Sequence, residues 1–391
     1  MTLPFSTRWL VLLVFFVQPL AFGSWLPRIP DVQLALGLGP AGLALVLLGL
    51  PCGTLLTLPV AGSLVSKIGT RGAMLIGFVY YSLAVALPAF APTPELLFVA
   101  LMLVGSSLSF VELALNVEAD VVEKATARPL MTTAHGCWSV GIMVGSLCGA
   151  GLAALNFSAN WAILLMAGVN LVLGLLVAYS LPPSTPVAAA PKQRTAWSMP
   201  SLPLLGICAF IFGITMTEGA MADWSAVFLR EVMNESKGTA GLGYSIFAMM
   251  VATGRFGGAA LHTRFGIVGA ARICGILAII GAAILMAATS TPMAMVGFGI
   301  IGLGVSVGFP LAVTAAASLG DRPASTNVAT LSFVALTGFL VGPPVIGLIA
   351  EHSDMRWGLG SLLAVLLLSL CLSGYLKQKS IPAGTPLGEA A

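Results

Sequence analysis

Acidic residues inside long apolar stretches are the features of this sequence most able to do chemistry. Glu112 lies in such a stretch, four residues before Asn116, so on a helix the two residues share one face. An ionisable side chain in hydrocarbon costs roughly 2.5–3.5 kcal/mol on insertion scales, which makes it a candidate functional group. A carboxyl group removed from water can exchange protons near neutral pH. We therefore predict that Glu112 couples proton movement, with a structural hydrogen bond to a neighbouring helix as the alternative.

Glu218 and Asp223 lie five residues apart in another apolar stretch, which places them roughly 140° apart around a helix. We expect one of them to face the interior and the other to lie near the outer end of the stretch, before Trp224 and Arg230. Glu218 is predicted to be a second coupling or substrate-binding group. Asp223 is predicted to contact substrate or to form an external gate, pairing with Arg28 or another outer basic residue. A plain helix-end carboxylate explains Asp223 equally well.

Two basic side chains also fall in apolar stretches. His135 is predicted to relay protons, because the unperturbed pKa of histidine is near 6.5; a packing role near the cytoplasmic end of its helix is the alternative. Arg255 is expected about two turns from a cytoplasmic loop, where a long basic side chain reaches the interface or pairs with an acidic residue at a cytoplasmic gate. A binding group for a substrate anion is the second interpretation of Arg255.

Uncharged polar and aromatic residues in the same stretches complete a predicted binding set. Trp25 and Trp224 lie near outer helix ends, where most tryptophans form an interfacial belt. Because these two occupy repeated positions, lining of the external entrance is the second interpretation. The predicted substrate-binding residues are Gln18, Trp25, Asn116, Asp223 and Trp224.

Composition identifies the medium in which these residues act. Charged residues make up 8% of the 391 residues and hydrophobic residues 58%, whereas soluble domains carry about a quarter charged residues. A membrane span needs about 20 apolar residues. The sequence therefore predicts an all-α polytopic membrane protein with twelve spans: 8–26, 41–64, 73–91, 96–117, 130–154, 160–180, 202–227, 241–261, 270–289, 292–316, 326–349 and 358–376.

The sequence is internally repeated, at an offset of 199 residues early on and 197 residues further along. The matching positions are Trp25 with Trp224, Gly39 with Gly238, Gly42 with Gly241, Gly69 with Gly266, Gly105 with Gly302, Gly141 with Gly338 and Gly145 with Gly342. Duplicated membrane bundles of this kind usually move solutes between their halves. Phe309 is the counterpart of Glu112, so that carboxylate departs from the internal symmetry.

The repeat predicts two pseudo-symmetric six-helix bundles, residues 1–181 and 201–378. A Pro- and Ala-rich stretch, residues 182–200, is the predicted cytoplasmic linker, and residues 379–391 form a predicted cytoplasmic tail. Counting loops from an inside N-terminus, twelve basic residues fall on the cytoplasmic side and four outside. We therefore expect both termini to be cytoplasmic and the protein to span a bacterial inner membrane several times.

Several other classes of protein fit poorly. Cleavage of a signal peptide after Ala21-Phe22-Gly23 would leave the first span without a counterpart to the seventh, so we expect none. The six cysteines lie in spans without a CxxC pair and are expected to be small buried residues. No spacing supports a phosphate loop, a metal cluster or a nucleophile–base pair. We expect no enzyme activity, cofactor, metal or nucleic-acid partner.

The loop after the second predicted span, Gly62-Ser63-Leu64-Val65-Ser66-Lys67-Ile68-Gly69-Thr70-Arg71, resembles the cytoplasmic signature G-x-x-x-D-R-x-G-R-R of the major facilitator superfamily. Ser66 stands where the family has Asp, and Thr263 precedes Arg264 in the second copy. The stretch 218–224 also resembles a poorly characterised bacterial branch of that superfamily. The resemblance implies a rocker-switch transporter with a midplane site. Its implied cytoplasmic gate contains Gly62, Ser66, Lys67, Gly69, Arg71, Thr263 and Arg264, to which we add Arg255.

These observations predict a proton-coupled secondary transporter of a small organic solute, a monomer working by alternating access, with protons, solute and lipid as its partners. Gly136, Gly145 and Gly149 follow the G-x8-G-x3-G spacing of superfamily antiporters, which favours export slightly; close helix packing explains them too. Three alternatives stay open: proton-coupled uptake of a polar nutrient such as a sugar or an amino-acid derivative, an uncoupled facilitator, and a membrane receptor that does not transport. Sodium coupling is a further possibility.

Overall fold

A computed structural model describes residues 5–183 and 199–377, and within these ranges the regular structure is helical throughout. The predicted linker lies largely, and the predicted tail entirely, outside the described residues. Ten helical segments are long and apolar enough to cross a membrane. They are α1 (Thr7–Ala35), α2 (Pro40–Phe90), α3 (Pro94–Thr126), α4 (Met131–Ala154), α5 (Ala159–Ser180), α6 (Leu202–Glu231), α7 (Lys237–Ala287), α8 (Thr291–Ala317), α9 (Ala324–His352) and α10 (Met355–Leu376).

Four of these segments contain an interruption besides the glycine breaks described next. In α1 the first helix ends at Val17 because Pro19 supplies no backbone N–H. The helical runs are Thr7–Val17, Leu20–Trp25 and Ile29–Ala35 in α1; Pro40–Leu47 and Gly49–Ala86 in α2; Thr291–Val305 and Gly308–Ala317 in α8; and Met355–Gly360 and Leu362–Leu372 in α10. The break in α1 falls beside Gln18, near the middle of the bundle.

The segments α2 and α7 are each 51 residues long, and each is broken at one glycine. Gly69 has a φ of 75° in α2, and Gly266 has a φ of 68° in α7. Only glycine adopts this left-handed conformation without steric cost, and the two positions are partners in the sequence repeat. A straight helix of this length would extend about 76 Å, more than twice the hydrocarbon thickness. The predicted spans 41–64 and 73–91 therefore lie on either side of Gly69.

Close helix packing follows the same repeat. A Cβ added at Gly105 would lie 1.9 Å from the carbonyl oxygen of Leu50, and one added at Gly302 would lie 2.4 Å from that of Phe247. Both contacts join residues at equivalent positions, 197 apart. Gly141 packs in the same way on the carbonyl of Phe16. Small residues allow backbones to approach closely in membrane helices, so glycine fixes these crossings.

One end of the bundle is held together by polar contacts between the N-terminal part of the chain (residues 5–183) and the C-terminal part (residues 199–377). We call it the linked end. Its contacts are Asp31 Oδ1 to Lys237 Nζ at 3.3 Å, Gln33 Nε2 to Glu231 Oε1 at 2.9 Å, and the backbone N–H of Ala41 to Glu351 Oε2 at 3.1 Å. The breaks at Gly69 and Gly266 lie at the opposite end, which we call the gate-motif end.

Candidate functional site

A cavity of about 290 Å³ lies between the two parts of the chain, lined by residues of α1, α2, α3, α4, α6, α7 and α9. Its lining is mostly apolar, with a few charged groups, as is usual for small-molecule sites. The charged lining residues are Glu112, Glu218, Asp223 and Arg255. The aromatic lining residues are Phe22, Trp25, Trp138, Tyr244, Phe247 and Phe339. The cavity thus brings together four of the charged residues that were predicted to be functional. Trp25, which was predicted to bind substrate, also lines it.

Helix α6 contributes both Glu218 and Asp223 to the cavity, which corrects the expectation that only one would face inward. Gly219 and Ala222 lie between them on the helix surface and also line the cavity. At 100° per residue these four positions span an arc of about 140°, bounded by the two carboxylates. Because only the small residues Gly219 and Ala222 lie between them on the helix surface, both carboxylates border the same space.

Arg255 lies on the cavity instead of at the cytoplasmic gate where it was predicted. Its Nη2 is 3.4 Å from Glu218 Oε1, and its Nη1 donates to Ser139 Oγ at 2.6 Å. Ser139 in turn donates to the backbone carbonyl of His135 at 3.0 Å. Eleven residues separate Arg255 from the break at Gly266, a rise of about 16 Å, which brings the guanidinium to mid-bundle. Arg255 thus bridges the C-terminal and N-terminal parts.

Glu112 lines the cavity from α3, and its predicted partner Asn116 does not. Asn116 Nδ2 instead donates to the backbone carbonyl of Glu112 at 2.9 Å, within its own helix. Within the described ranges, no hydrogen bond or ion pair is formed by the carboxylate of Glu112 or by that of Asp223. The alternative interpretation of Glu112, a structural hydrogen bond to another helix, therefore has no counterpart among the described residues.

Gln18 lies behind the cavity wall. It is fully buried, and its Oε1 accepts a hydrogen bond from Trp138 Nε1 at 2.8 Å. Asn170 Nδ2 donates to the backbone carbonyl of Gln18 at 3.3 Å and to that of Val17 at 2.7 Å, at the point where α1 is interrupted. Gln18 was predicted to bind substrate, but it positions a cavity-lining tryptophan instead.

Two further predicted residues also lie away from the cavity lining. Trp224 has no exposed surface, and its Nε1 is buried without a hydrogen-bond partner in the described part of the chain, whereas Trp25 does line the cavity. The ring of His135 packs edge-on against Phe15, with 5.5 Å between centroids. His135 does not line the cavity, and its backbone carbonyl accepts a hydrogen bond from the cavity residue Ser139.

The residues predicted for the cytoplasmic gate lie around the two glycine breaks. Ser66 Oγ donates to the carbonyl of Ser63 at 2.9 Å, and Thr263 Oγ1 to that of Ala259 at 2.5 Å, so both hydroxyls bond within their own helices. Arg71 donates to the carbonyl of Tyr179 at 2.8 Å and lies over its ring. Arg264 lies over the ring of Phe265, and a Cβ added at Gly62 would meet no neighbouring element within 4 Å.

Sequence reasoning missed a carboxylate beside this motif. Thr70 follows Gly69 directly and donates a hydrogen bond to the buried Glu118 of α3. Glu118 thus supplies a carboxylate contact between helices at the place where Ser66 replaces the family's Asp. The acidic run from Glu118 to Asp120, within an apolar helix, was the available signal.

Arg28 does not pair with Asp223, contrary to the expectation from the sequence. Its Nε lies 3.0 Å from Asp31 Oδ2 and its Nη2 donates to the carbonyl of Phe157 at 2.7 Å. Asp31 also contacts Lys237, so this carboxylate joins two cations at the linked end. Asp223 instead faces the cavity.

The cavity residues that were not singled out from the sequence include Trp138, Ser139 and Tyr244. Ser139 could have been found from its position one turn after His135. Trp138 and Tyr244 carried no such signal, because an aromatic residue in an apolar helix faces lipid or packing neighbours as readily as a cavity.

The residues of this site could bind protons or a polar solute. Among residues 5–183 and 199–377, no group of three or more His, Cys, Asp or Glu side chains is arranged to hold a metal ion. Multiple apolar helices around a cavity with a few charged groups are typical of a membrane protein of the transporter type.

The chain matches the family model of the Major Facilitator Superfamily over residues 11–334, and it belongs to that superfamily. An uncharacterized MFS-type transporter of Yersinia pestis is 32% identical over 379 residues, which cover 94% of each chain. Membrane protein MosC of Rhizobium meliloti is 26% identical over 361 residues, covering 92% of this chain and 88% of MosC.

Solved structures share the fold at low sequence identity. A bacterial homologue of the human lysosomal transporter Spinster, inward-facing and unoccupied, superimposes with a TM-score of 0.75 at 14% identity, over 96% of this chain and 98% of the other. The nucleoside transporter NupG gives a TM-score of 0.73 at 14% identity, over 96% of this chain and 100% of the other. The protein is thus a multi-pass membrane transporter of this superfamily.

Proposed function

We propose that this chain is a proton-coupled secondary transporter that moves a small organic solute through the cavity by alternating access. The observation that carries the proposal is the cavity itself. It lies between the N-terminal and C-terminal parts of a superfamily fold, and it presents three carboxylates, of which two have no partner in the described residues. Transporters of repeated architecture place substrate and coupling-ion sites at this midplane position.

The transmembrane arrangement that we propose has twelve crossings in two six-helix bundles, residues 1–181 and 201–378. The breaks at Gly69 and Gly266 support it, because they divide each 51-residue segment into two lengths that can each span a bilayer. The equivalent glycine contacts at Gly105 and Gly302 support the same twofold relationship. Residues 182–200 would then link the bundles and residues 379–391 would follow the last crossing.

The structure fits a conformation open toward the gate-motif end. Side-chain contacts of Asp31, Gln33 and Glu351 join the two parts of the chain at the linked end. The distribution of basic residues supports a cytoplasmic location for the gate-motif end and for both termini. In this proposal the protein is an inward-facing monomer in a bacterial inner membrane, and opening of the linked end exposes the cavity to the outside.

Coupling follows from the balance of charge in the cavity. Three carboxylates share the space with one guanidinium, and a charge without a partner in apolar surroundings is costly. Binding of a proton at Glu112 or Asp223 removes such a charge. The protonated and deprotonated forms of the protein therefore differ in the free energy needed to close the cavity. Arg255 holds Glu218 and Ser139 together, and movement of the two parts against each other would have to break one of these contacts.

Export is the direction that we propose. Gly145 and Gly149 of α4 pack on the backbone of α1 at Leu20 and Ser24, and Gly136 of the same helix packs on Phe256 of α7. This is the helix with the antiporter-like glycine spacing, and it adjoins the cavity through Ser139. The mostly apolar and aromatic lining suits a solute with an apolar body better than a sugar.

A thermal-stability screen of the purified protein against a solute library at two pH values tests the proposal first. A ligand at about 100 times its dissociation constant adds roughly 2.7 kcal/mol of stability. Solutes that stabilise the protein are then tested for accumulation in proteoliposomes under a pH gradient. Wild type should accumulate the solute, and Glu112→Gln should keep exchange but lose gradient-driven accumulation.

Glu95→Gln is the matched control, since Glu95 lies on the same helix, is exposed and is remote from the cavity. Accumulation by Glu112→Gln equal to that of wild type would assign the coupling to another residue. Equilibration without accumulation by wild type itself would favour an uncoupled facilitator. Binding without transport in any variant would favour a receptor.

A further inference from the structure

We infer that the solute is an organic cation, an amine or ammonium compound with an apolar body, and that its charged nitrogen binds between Glu112 and Asp223. This inference rests on the proposed function, since it assumes that the cavity binds the transported solute. It is carried by three observations: the excess of carboxylates over cations, the engagement of Arg255, and the aromatic lining.

The charge count argues against a simple anion site. Among the described residues that line the cavity, Arg255 is the only cation, and it is already 3.4 Å from Glu218 and 2.6 Å from Ser139. An anionic solute would have to share the guanidinium with Glu218 and would lie beside further carboxylates. Glu112 and Asp223 lack a hydrogen-bond or ion-pair partner in the described ranges, so a cation is the solute charge that completes the site.

The aromatic residues point to the same class of ligand. A cation within about 6 Å of an aromatic face is attracted by the ring, most strongly by tryptophan, and this attraction grows when water is excluded. Trp25 and Trp138 both line the cavity, together with Tyr244. Trp138 has already given its N–H to Gln18, so it offers the cavity its ring and not a hydrogen-bond donor. Carboxylates combined with aromatic rings are the elements of an ammonium site.

The cavity volume limits the solute to a small molecule. A volume of about 290 Å³ lies at the lower end of the roughly 300–1,000 Å³ usual for small-molecule sites. A single ring with a short amine-bearing chain is of this size. Lining residues such as Leu101, Ile142 and Val251 provide apolar contact for its body.

Protons and the cation would compete for the same carboxylates. When the cation binds, a protonated Glu112 or Asp223 releases its proton to water, and when the cation leaves, the carboxylate takes a proton up again. The other titratable or charged groups facing this space are Glu218 of α6 and Tyr244 and Arg255 of α7, with His135 of α4 one turn from Ser139. Competition of this kind makes transport an exchange of protons for the cation.

The test is a thermal-stability titration of the full-length protein in detergent at pH 6 and pH 8. The probes are benzyltrimethylammonium, a permanent cation, with phenethylamine, the neutral 2-phenylethanol and the anion phenylacetate. We expect both cations to stabilise the protein, with at least about tenfold tighter apparent binding at pH 8 than at pH 6. The neutral and anionic probes should shift the midpoint little. A pH indicator in weak buffer should show proton release on addition of benzyltrimethylammonium.

Variants locate the site. Glu112→Gln and Asp223→Asn should each weaken binding of benzyltrimethylammonium by about tenfold or more, while Glu95→Gln should bind like wild type. The midpoint of each variant without ligand shows whether it is folded. If one variant fails to fold, the other variant and the measurement of proton release still test whether the cation binds at these carboxylates.

Two results overturn the inference. One is stabilisation by 2-phenylethanol or phenylacetate equal to that by the cations, and the other is the failure of both cations at either pH. If both cations fail while a neutral or anionic solute of the library binds and is accumulated, the inference about charge is wrong and the proposed transport stands. If no solute of any charge binds or is accumulated, the proposed function fails as well.

Discussion

Gly105 packs on the carbonyl of Leu50, and 197 positions later Gly302 packs on that of Phe247. The two copies share this backbone packing, but they do not share charge. Glu112 has Phe309 as its counterpart, so the position facing the cavity in the first copy is aromatic in the second. The comparison separates the parts of the molecule that hold the helices together from the residues that can do chemistry.

The second copy carries most of the charge at the cavity. Glu218 and Asp223 lie on α6, and the equivalent positions of α1 are Pro19 and Ser24. Arg255 also belongs to the second copy. From the first copy, Glu112 supplies a carboxylate to the cavity and Ser139 accepts a hydrogen bond from Arg255. A scaffold can be duplicated without its site, and each copy then contributes different groups to a single cavity.

The largest loss of stability is expected at the packing glycines that the two copies share. Gly105→Ala places a Cβ 1.9 Å from the Leu50 carbonyl oxygen, and Gly302→Ala places one 2.4 Å from that of Phe247. Overpacking typically costs about 1–3 kcal/mol, and these contacts involve backbone that cannot move aside, so roughly 3 kcal/mol is expected for Gly105→Ala and somewhat less for Gly302→Ala. Thermal unfolding in detergent measures both.

Gly168→Ala is the control for these variants, because no atom lies within 4 Å of the added Cβ. Alanine is the better helix former, so this variant should be unchanged or more stable by about 0.5–1 kcal/mol. Equal stability of Gly105→Ala and Gly168→Ala would show that the repeated glycine does not determine the crossing.

The next largest effect is expected at charged residues that are present in only one of the two copies. Arg255→Met leaves Glu218 without its cationic partner in an apolar cavity, so the midpoint of unfolding should fall. The double variant Arg255→Met/Glu218→Met removes both charges and should recover most of that stability. Transport of a solute found in the screen should fall more than about tenfold in both variants. Recovery of transport together with stability in the double variant would show that the pair is only structural.

A smaller effect is expected at the linked end, which joins the two copies. Lys237→Gln removes the ion pair to Asp31 and leaves Asp31 beside the buried Arg28. The side chain of Lys237 is half exposed, so the gain from the pair is modest, at most about 1 kcal/mol. Hydrogen exchange of residues 26–41 should then rise by up to about fivefold.

Asp120→Asn is the control for the linked end, since Asp120 pairs with Lys124 on the surface of a single helix. It should leave exchange of residues 26–41 unchanged. If Lys237→Gln exchanges at the wild-type rate, the pair of Asp31 with Lys237 does not hold the observed conformation.

The smallest effect is expected from the hydroxyls that replace the family's carboxylate. Ser66 and Thr263 bond to carbonyls of their own helices, so Ser66→Ala and Thr263→Ala should each change stability by less than about 0.5 kcal/mol. Thr70→Ala, which removes the contact to Glu118, should cost more in the same unfolding measurement. A larger loss in Ser66→Ala than in Thr70→Ala would place the gate contact at Ser66 after all.

The sequence allowed the helices and the candidate carboxylates to be predicted, because long apolar runs and acidic residues within them are local features. The predicted span 130–154 corresponds to α4 from Met131 to Ala154, and the repeated Gly69 and Gly266 share one backbone conformation. Glu112, Glu218 and Asp223 were all expected to be functional, and all three line the cavity.

Orientation around and along the helices could not be predicted in the same way. Gln18 and Trp224 are polar or aromatic residues in the right helices, but they face neighbouring helices and not the cavity. Arg255 was placed by its distance to the nearest loop, whereas its partner Ser139 lies more than a hundred positions away in sequence. Contacts of that kind depend on how helices cross, and no local pattern encodes them.

The most direct test of the central claim is proton movement driven by a solute gradient in proteoliposomes containing a pH-sensitive dye. The solute is one that the stability screen has identified. Wild type should move protons whenever the solute moves, and Glu112→Gln should exchange labelled for unlabelled solute while moving no protons. Solute-driven proton movement in Glu112→Gln equal to that of wild type would contradict the assignment of coupling to this carboxylate.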